Sequence, residues 1–369
     1  MNSTSNEIDF ARPRFDRFNI ELRMKACVLH GPRDLVLDDF PEPTPRSGEV
    51  VVRLGAGGIC GSDLHYYSEG GVGDFRLRQP LILGHEVAGE VVEVGPKVRT
   101  LKPGDRVAVN PNHPCGECRQ CQAGRRNLCA NVQFFGSAAR YPHVQGAFAE
   151  RFAVAEANCF VVPPEISFRA AACAEPLAVA LHAIGRAGPI LGRTVFIAGS
   201  GPIGVLLAAT ARMAGASGIC VTDLFDEPLG IAQAMGATET INVRSDHGKV
   251  TVLAAERGGF DVAFEASGHP GGLMSAIEVA APGAPVVQVG MLPRGQTPAP
   301  LNAVVTKELR VLGSFRFDCE YAVAVAALAS GQIDVGPMLT NEFTFAELGP
   351  AFEAAADRRR SMKVSLRPS

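Results

Sequence analysis

The stretch that most narrows what this chain can become runs from Thr194 to Asp223. Thr194-Val-Phe-Ile-Ala198 is a short apolar run of strand-forming residues. It leads into Gly199-Ser-Gly-Pro-Ile-Gly204 and then an apolar helical segment reaching Met213. Pro202 stands where a first helical residue tolerates proline, because that amide has no intrahelical partner. Glycine here permits a tight turn and a close approach of bare backbone to a ligand, and a helix N-terminus attracts phosphate. Three glycines alone fit any tight turn. A second run, Gly218-Ile-Cys-Val-Thr-Asp223, sharpens the reading by ending in a carboxylate 24 residues after Gly199. Such a carboxylate accepts hydrogen bonds from a ribose hydroxyl and repels a 2′-phosphate. Since no Lys or Arg stands between Leu224 and Gly230, the pattern predicts NAD rather than NADP.

Four more runs follow in alternation with helical segments: Glu239 to Asn242, Phe260 to Glu265, Pro285 to Gly290 and Leu309 to Gly313. Six strands so arranged predict an α/β fold with a doubly wound parallel sheet. The small residues of Ala266-Ser-Gly268 and Val289-Gly-Met291 fall where a dinucleotide lies, past the carboxyl edge of the strands. The preceding chain reads as β. Runs at Lys25–Leu29, Glu49–Leu54, Val87–Val94, Asp105–Val109 and Phe148–Phe152 are punctuated by turn residues, which predicts a compact barrel-like unit. After Phe315, a helix from Tyr321 to Ser330 and a closing strand from Met362 to Leu366 return to that first unit. A chain of 369 residues is too long for one ordinary core. The expected division is 24–176 completed by 316–369, then 177–315, with 1–23 as an N-terminal extension.

Two residue sets point to metal. Cys115, Cys118, Cys121 and Cys129 are separated by two, two and seven residues, and four thiolates so spaced can close a tetrahedron around one zinc. An iron–sulfur cluster uses the same ligand type, but nothing else here suggests electron transfer. The second set joins Cys60, in Gly58-Ile-Cys-Gly-Ser-Asp-Leu-His65, to His85 and Glu86. Thiolate, imidazole and carboxylate suit a borderline-soft ion, and three protein ligands leave a fourth position for water or substrate. A lone cysteine or histidine fits core packing as readily.

The balance of charge excludes other classes. Net charge is −3, and the main basic block, Arg358-Arg359-Arg360, reads as a solvated helix face, so neither nucleic acid nor an anionic membrane is an expected partner. The longest apolar run, near Val205 to Ala209, is far too short to span a bilayer. Residues 1–23 are polar and mixed in charge, unlike a secretory signal, and Asp9, Asp16 and Glu21 argue against a mitochondrial presequence. With a clustered rather than paired use of cysteine, a cytoplasmic location is expected.

Taken together, these motifs, with Ala174-Glu-Pro-Leu-Ala178, resemble the zinc-dependent medium-chain dehydrogenases, in their polyol branch. The resemblance covers nearly everything from Met24 to Leu366 and implies a GroES-like barrel beside a Rossmann domain. It implies two zinc ions per chain, one structural and one catalytic, with NAD as cofactor. Cys60 and His85 would hold the catalytic ion with Glu86 or Glu175, one carboxylate ligating directly and the other exchanging or holding water. Ser62 and His65 match proton-relay positions, with a solvent-facing or ribose-contacting histidine as the lesser alternative for His65. Tyr66, Phe135 and Arg316 match a substrate pocket. Gly199, Gly201, Ile203, Gly204, Asp223, Ser267, Val289, Gly290, Met291, Ser314 and Phe315 match the cofactor cleft. Stretches such as His65-Tyr-Tyr67, Phe134 to Ala138 and Gly313 to Phe317 are most like the members that oxidise L-idonate to 5-keto-D-gluconate. Neutral polyols such as sorbitol and xylitol are the alternative substrates, and a non-catalytic NAD-binding sensor is a remote one. For a sugar acid, Arg316, Arg140 and His143 are the candidate cations, although the resemblance implies an arginine at the Arg316 place in neutral-polyol members too, so that residue does not discriminate between the two substrate classes. The family also implies a homo-oligomer, dimer or tetramer.

Overall fold

The computed structural model describes residues 23–246 and 248–369, so the extension read into 1–23 lies outside them except for Arg23, which opens the first strand. The six runs after Thr194 form one parallel sheet. Its order is Glu239–Asn242, Gly218–Asp223, Thr194–Ala198, Val262–Glu265, Pro285–Gln288 and Arg310–Gly313. The strand order reverses at Thr194–Ala198, whose neighbours come from later in the chain on both sides. In such sheets the ligand crevice opens beyond the carboxyl ends at the reversal, here at Ala198 and Glu265. These central strands are buried on both faces, which explains why they read as unbroken apolar runs.

Seven of the remaining strands gather into a sheet centred on Glu49–Gly58, while Asp34–Pro41, Arg23–Gly31 and Leu81–Ile82 form a separate sheet of three. That strand pairs antiparallel with Glu86–Val94, Arg151–Ala155 and Lys363–Arg367. It runs four residues past the Leu54 boundary expected from sequence. Gly58 lies so close to Glu86 that an added Cβ would meet the carboxylate, so glycine serves close approach here. Two of the longer strands escaped the sequence pattern. Asp34–Pro41 is too rich in charge to read as apolar, yet it forms a hairpin with Arg23–Gly31, with Arg33 at φ 61° in the turn. Leu339–Thr344 instead pairs in parallel with Lys363–Arg367. The strand expected at Phe148–Phe152 begins later, at Arg151, because Phe148 is fully buried against the loop at Leu83 and donates its N–H to that carbonyl.

Helix Ala174–Ala187 joins the two sheets, burying seven of its residues in the core it shares with Ala88, Ala108 and the parallel sheet, while Glu175 and Pro176 face the cavity. Pro176 lies in its first turn, where a missing amide proton costs no helical bond. Glu320–Ala329 packs beside it. The run at Arg358 is not a helix face: the preceding helix ends at Ala356, and Arg358 turns inward toward Asp223. Among the described residues no helix is long and apolar enough to cross a membrane.

Candidate active site and cofactor cleft

Cys60 caps the helix Gly61–Glu69. Asp63 fixes that corner: fully buried, it accepts the Cys60 N–H at 2.9 Å and the Gly84 N–H at 3.4 Å. One carboxylate thereby ties together the two loops that carry Cys60 and His85. The Cys60 sulfur, a His85 ring nitrogen and a Glu86 oxygen all lie within 4.8 Å of one another. His85 is buried, and its Nδ1 finds no hydrogen bond among the described residues, standing 3.7 Å from Asp63 Oδ1. Burial first, then the charge of Glu86, push the Cys60 thiol up to about 12. An anionic sulfur here therefore requires a cation beside it, and this mixed donor set suits zinc.

The two glutamates differ. Both Glu86 oxygens bind Lys363 Nζ, at 2.9 and 2.7 Å, in a pair buried on both sides. Glu175 shares the cavity but stands outside the close triad, and burial pushes its carboxyl up to about 8. Lys363 had no sequence signal, since 277 residues separate it from Glu86.

The cavity over these groups measures about 660 Å³, a size suited to a cofactor end plus a small substrate. Cys60, Ser62, His65, Tyr66, His85, Glu86, Glu175 and Arg316 all line it. Ser62 Oγ is 3.5 Å from His85 Nε2. His65 sits at the exposed rim, 3.1 Å from Glu69. Buried Tyr66 accepts the Ala138 N–H through its hydroxyl at 2.9 Å.

Phe135 does not reach this cavity; its neighbour does. Phe135 packs on His113 and Phe152, with ring centres 5.1 and 6.1 Å away. Phe134 points the other way, as adjacent residues of an extended segment must, and stands 5.4 Å from the His85 ring. The Arg316 guanidinium lies over Phe134 at 4.2 Å and over Phe315 at 4.9 Å. Arg316 has no carboxylate within ion-pair distance among the described residues, and desolvation holds its pKa below the ordinary value. Its backbone adopts φ 54°, a conformation that costs a non-glycine residue free energy and concentrates at functional sites. The other two candidate cations are placed elsewhere. His143 is buried, with Nε2 accepting the Arg78 N–H and Nδ1 donating to the Arg140 carbonyl, so both nitrogens are occupied. Arg140 does not line the cavity.

Across the cleft, Gly199 takes φ 98°, and an added Cβ would come within 2.7 Å of the Ser267 backbone. Gly201, Ile203, Ser267, Val289, Gly290, Met291, Ser314 and Phe315 line the same cavity. Gly204 lies behind it, against the Gly199 carbonyl. Asp223 is buried at the end of its strand and accepts the N–H of Ser200 at 2.8 Å and of Leu224 at 2.7 Å. Sequence reasoning missed Glu265. This fully buried carboxylate accepts from Ser267 N at 2.7 Å and Gly268 N at 3.0 Å, and also from the Ser267 hydroxyl. It shapes the loop from beneath.

Cys115, Cys118, Cys121 and Cys129 also converge, their sulfurs within 4.8 Å of one another and none in a disulfide. Backbone N–H groups of Cys121 and Ala130 draw the Cys118 thiol down to about 6. Desolvation and the three other sulfurs push Cys121 up to about 12. Four sulfurs this close cannot all shed protons without a cation among them. The lobe is moored to the cavity wall: Asn127 donates to the Phe315 carbonyl at 3.0 Å, and Arg126 pairs with Asp318 at 2.6 Å.

Comparison with known proteins agrees with this layout. Residues 46–164 match the alcohol dehydrogenase GroES-like domain, and residues 202–330 match the zinc-binding dehydrogenase domain. The chain is 38% identical over 347 residues to L-idonate 5-dehydrogenase (NAD(P)(+)) of Escherichia coli (strain K12), covering 94% of this chain and 99% of that protein. It is 37% identical over 349 residues to sorbitol dehydrogenase of Bacillus subtilis (strain 168), covering 94% and 98%. The crystal structure of L-idonate 5-dehydrogenase from Escherichia coli str. K-12 substr. MG1655 superposes with a TM-score of 0.88, over 94% of this chain and 98% of that one, at 38% identity.

Proposed function

The chain belongs to the zinc-dependent medium-chain dehydrogenases, in the polyol branch, and from that premise we propose that it oxidises a sugar acid, L-idonate to 5-keto-D-gluconate. The observation that carries the sugar-acid reading is Arg316, a partly buried guanidinium at the cavity wall with no ion-pair partner among the described residues. A desolvated cation in a substrate cavity favours an anionic substrate, and a planar fork suits a carboxylate.

In this reading Cys60, His85 and Glu86 would hold the catalytic zinc, with Glu175 as the second carboxyl in reach of the same cavity. A zinc held there would supply Lewis acidity to lower the pKa of the alcohol, and a nicotinamide in the cleft would supply the hydride acceptor. Ser62 takes the proton released by the alcohol and passes its own outward, and His65 with Glu69 delivers it to solvent at the rim. Tyr66 and Phe134 shape the pocket around the carbon chain, while Arg316 binds the carboxylate. The Gly199 to Gly204 loop faces the pyrophosphate and Asp223 the adenosine ribose. Val289, Gly290, Met291 and Ser314 line the nicotinamide end, where the buried Ser314 hydroxyl has no partner among the described residues and would meet the carboxamide. Units 24–176 with 316–369 and 177–315 flank this cleft, and the exposed pair Arg294–Asp74, at 2.7 Å, links the two. We also read the chain as a homo-oligomer, dimer or tetramer. The open edge strand Arg310–Gly313 exposes Val311, and the adjacent helix exposes Leu301 and Val305. Light scattering tests that part.

The test of the activity is steady-state NAD⁺ reduction on L-idonate, sorbitol and xylitol compared by kcat/KM. A lead for L-idonate of about tenfold, or roughly 1.4 kcal/mol of transition-state preference, supports the sugar-acid assignment. A lead for sorbitol or xylitol overturns it while leaving the zinc dehydrogenase chemistry in place.

A further inference from the structure

Phe315 and Arg316 lie where the chain leaves the edge strand Arg310–Gly313 for helix Glu320–Ala329, outside regular structure. Among the described residues the Arg316 backbone forms no hydrogen bond of its own. Its place is set by its neighbours. On the strand side, the Ser314 N–H donates to the Gln288 carbonyl at 2.9 Å. Arg186, on helix Ala174–Ala187, donates to the Gly313 carbonyl at 3.0 Å. The Phe315 carbonyl takes a side-chain N–H of Asn127, in the four-cysteine lobe, at 3.0 Å. That carbonyl belongs to the planar peptide unit whose nitrogen is Arg316's own. The bond therefore holds the plane about which the Arg316 φ of 54° is measured.

Asn127 is held in turn. It is buried, and the same amide nitrogen stands 3.4 Å from His182 Nε2. His182 Nδ1 is 2.8 Å from Glu320, and a carboxylate only accepts, so Nδ1 donates and Nε2 is left as the acceptor that the amide meets. Glu320 also accepts the Asp318 N–H at 2.7 Å. Asp318 accepts from the Arg126 backbone N–H at 2.9 Å and from its guanidinium at 2.6 Å. Arg126 adjoins Asn127, so the ring closes. It also fixes which way the amide faces, since a flipped amide would set its oxygen against both the Phe315 carbonyl and the His182 lone pair. Two residues on, Cys129 ties this ring to the cluster of four sulfurs.

We propose that Asn127 is a positioning residue for the substrate cavity: through the Phe315 carbonyl it holds the left-handed turn that aims the Arg316 guanidinium, so the four-cysteine lobe sets substrate recognition as well as local stability. The inference rests on the reading of Arg316 as the substrate-binding cation. Its test is a double-mutant cycle in kcat/KM on the zinc-loaded chain, run with whichever of L-idonate, sorbitol and xylitol the unaltered chain oxidises best. Asn127→Asp keeps the shape of the side chain and removes both donors. It should lower kcat/KM about tenfold, carried by KM with kcat within about twofold, because a misaimed fork holds substrate less well without touching the reacting carbon. In the Arg316→Leu background the same substitution should cost less than about twofold. Zinc content should match that of the unaltered chain. Asn127→Ala repeats the cycle without the added charge, and decides it if the carboxylate unfolds the lobe. Additive losses, or a lobe that sheds its zinc in the Ala variant as well, would make Asn127 an anchor of the lobe and overturn the proposal. So would an Arg316→Leu variant as active as the unaltered chain, since nothing would then be positioned. A lead for sorbitol or xylitol ends the sugar-acid assignment, while the coupling between Asn127 and Arg316 still decides this proposal. If none of the three is oxidised, both readings fall.

Discussion

Lys363 Nζ lies 2.9 and 2.7 Å from the two carboxylate oxygens of Glu86, and both side chains are almost entirely shut off from solvent. The ammonium also donates to the Ile59 carbonyl at 3.3 Å, one residue before Cys60. The last strand thus delivers a cation beneath the candidate metal site, anchoring both the carboxylate and the loop that carries the thiol. Removing one partner of a buried pair strands the other charge, at a cost of about 3–5 kcal/mol. Lys363→Met should therefore destabilise the fold by roughly that amount in urea unfolding. The double variant with Glu86→Gln should recover a large part of the loss. If the single and double variants were equally unstable, the pair would not be the source.

The two cysteine-containing sites should separate by metal content. Cys118→Ser is expected to remove one zinc per chain and lower stability by about 2 kcal/mol, or roughly 4–8 °C in Tm for a unit of this size. Cys60→Ser should remove the other zinc and cut kcat/KM about a thousandfold, the scale of losing a Lewis acid. Atomic absorption on the two variants, with thermal melts, checks both. Retention of two zinc ions in either would remove that cysteine from its assigned set.

The parallel sheet was legible because strands buried on both faces leave unbroken apolar runs, and Gly199 to Gly204 marks where the first of them turns. The four-cysteine lobe was legible because its ligands are close in sequence. Lys363 was not, since nothing in a lysine 277 residues from its partner announces a buried pair. The choice of Phe135 over Phe134 failed for another reason. Adjacent aromatics leave the pattern ambiguous, and the two-residue strand Gln133–Phe134 is too short to fix which faces inward. Arg358 looked like solvated surface because its partner, Asp223, comes from the other sheet.

Glu156 offers a stability test away from the active site. Its carboxylate takes the Thr100 hydroxyl and N–H at 2.6 Å and the Arg99 N–H at 2.9 Å, which draws its pKa down to about 2. A carboxyl whose folded pKa is below its unfolded one stabilises fully above the ordinary range near 4.5, and that contribution drains away as pH falls toward 2. Glu156→Gln should thus melt below the unaltered chain at pH 7, and the gap should narrow as pH drops through 4.5. A gap constant with pH would mean that packing, not charge, is what the substitution disturbs.

Arg316 carries the substrate assignment and can be tested against it. Its guanidinium is sandwiched by Phe134 and Phe315 and held on a strained backbone, so the fork is fixed before substrate arrives. A hydrogen bond to a charged group contributes about 1.5–3 kcal/mol, which corresponds to roughly 10- to 150-fold in rate. Arg316→Leu keeps most of the apolar contact and removes the fork. The ratio of kcat/KM for L-idonate over sorbitol should fall by about one to two orders of magnitude, with the loss carried by the acid. An equal fall for both substrates would make Arg316 a general wall of the pocket, and the cation that recognises a carboxylate would have to be sought elsewhere.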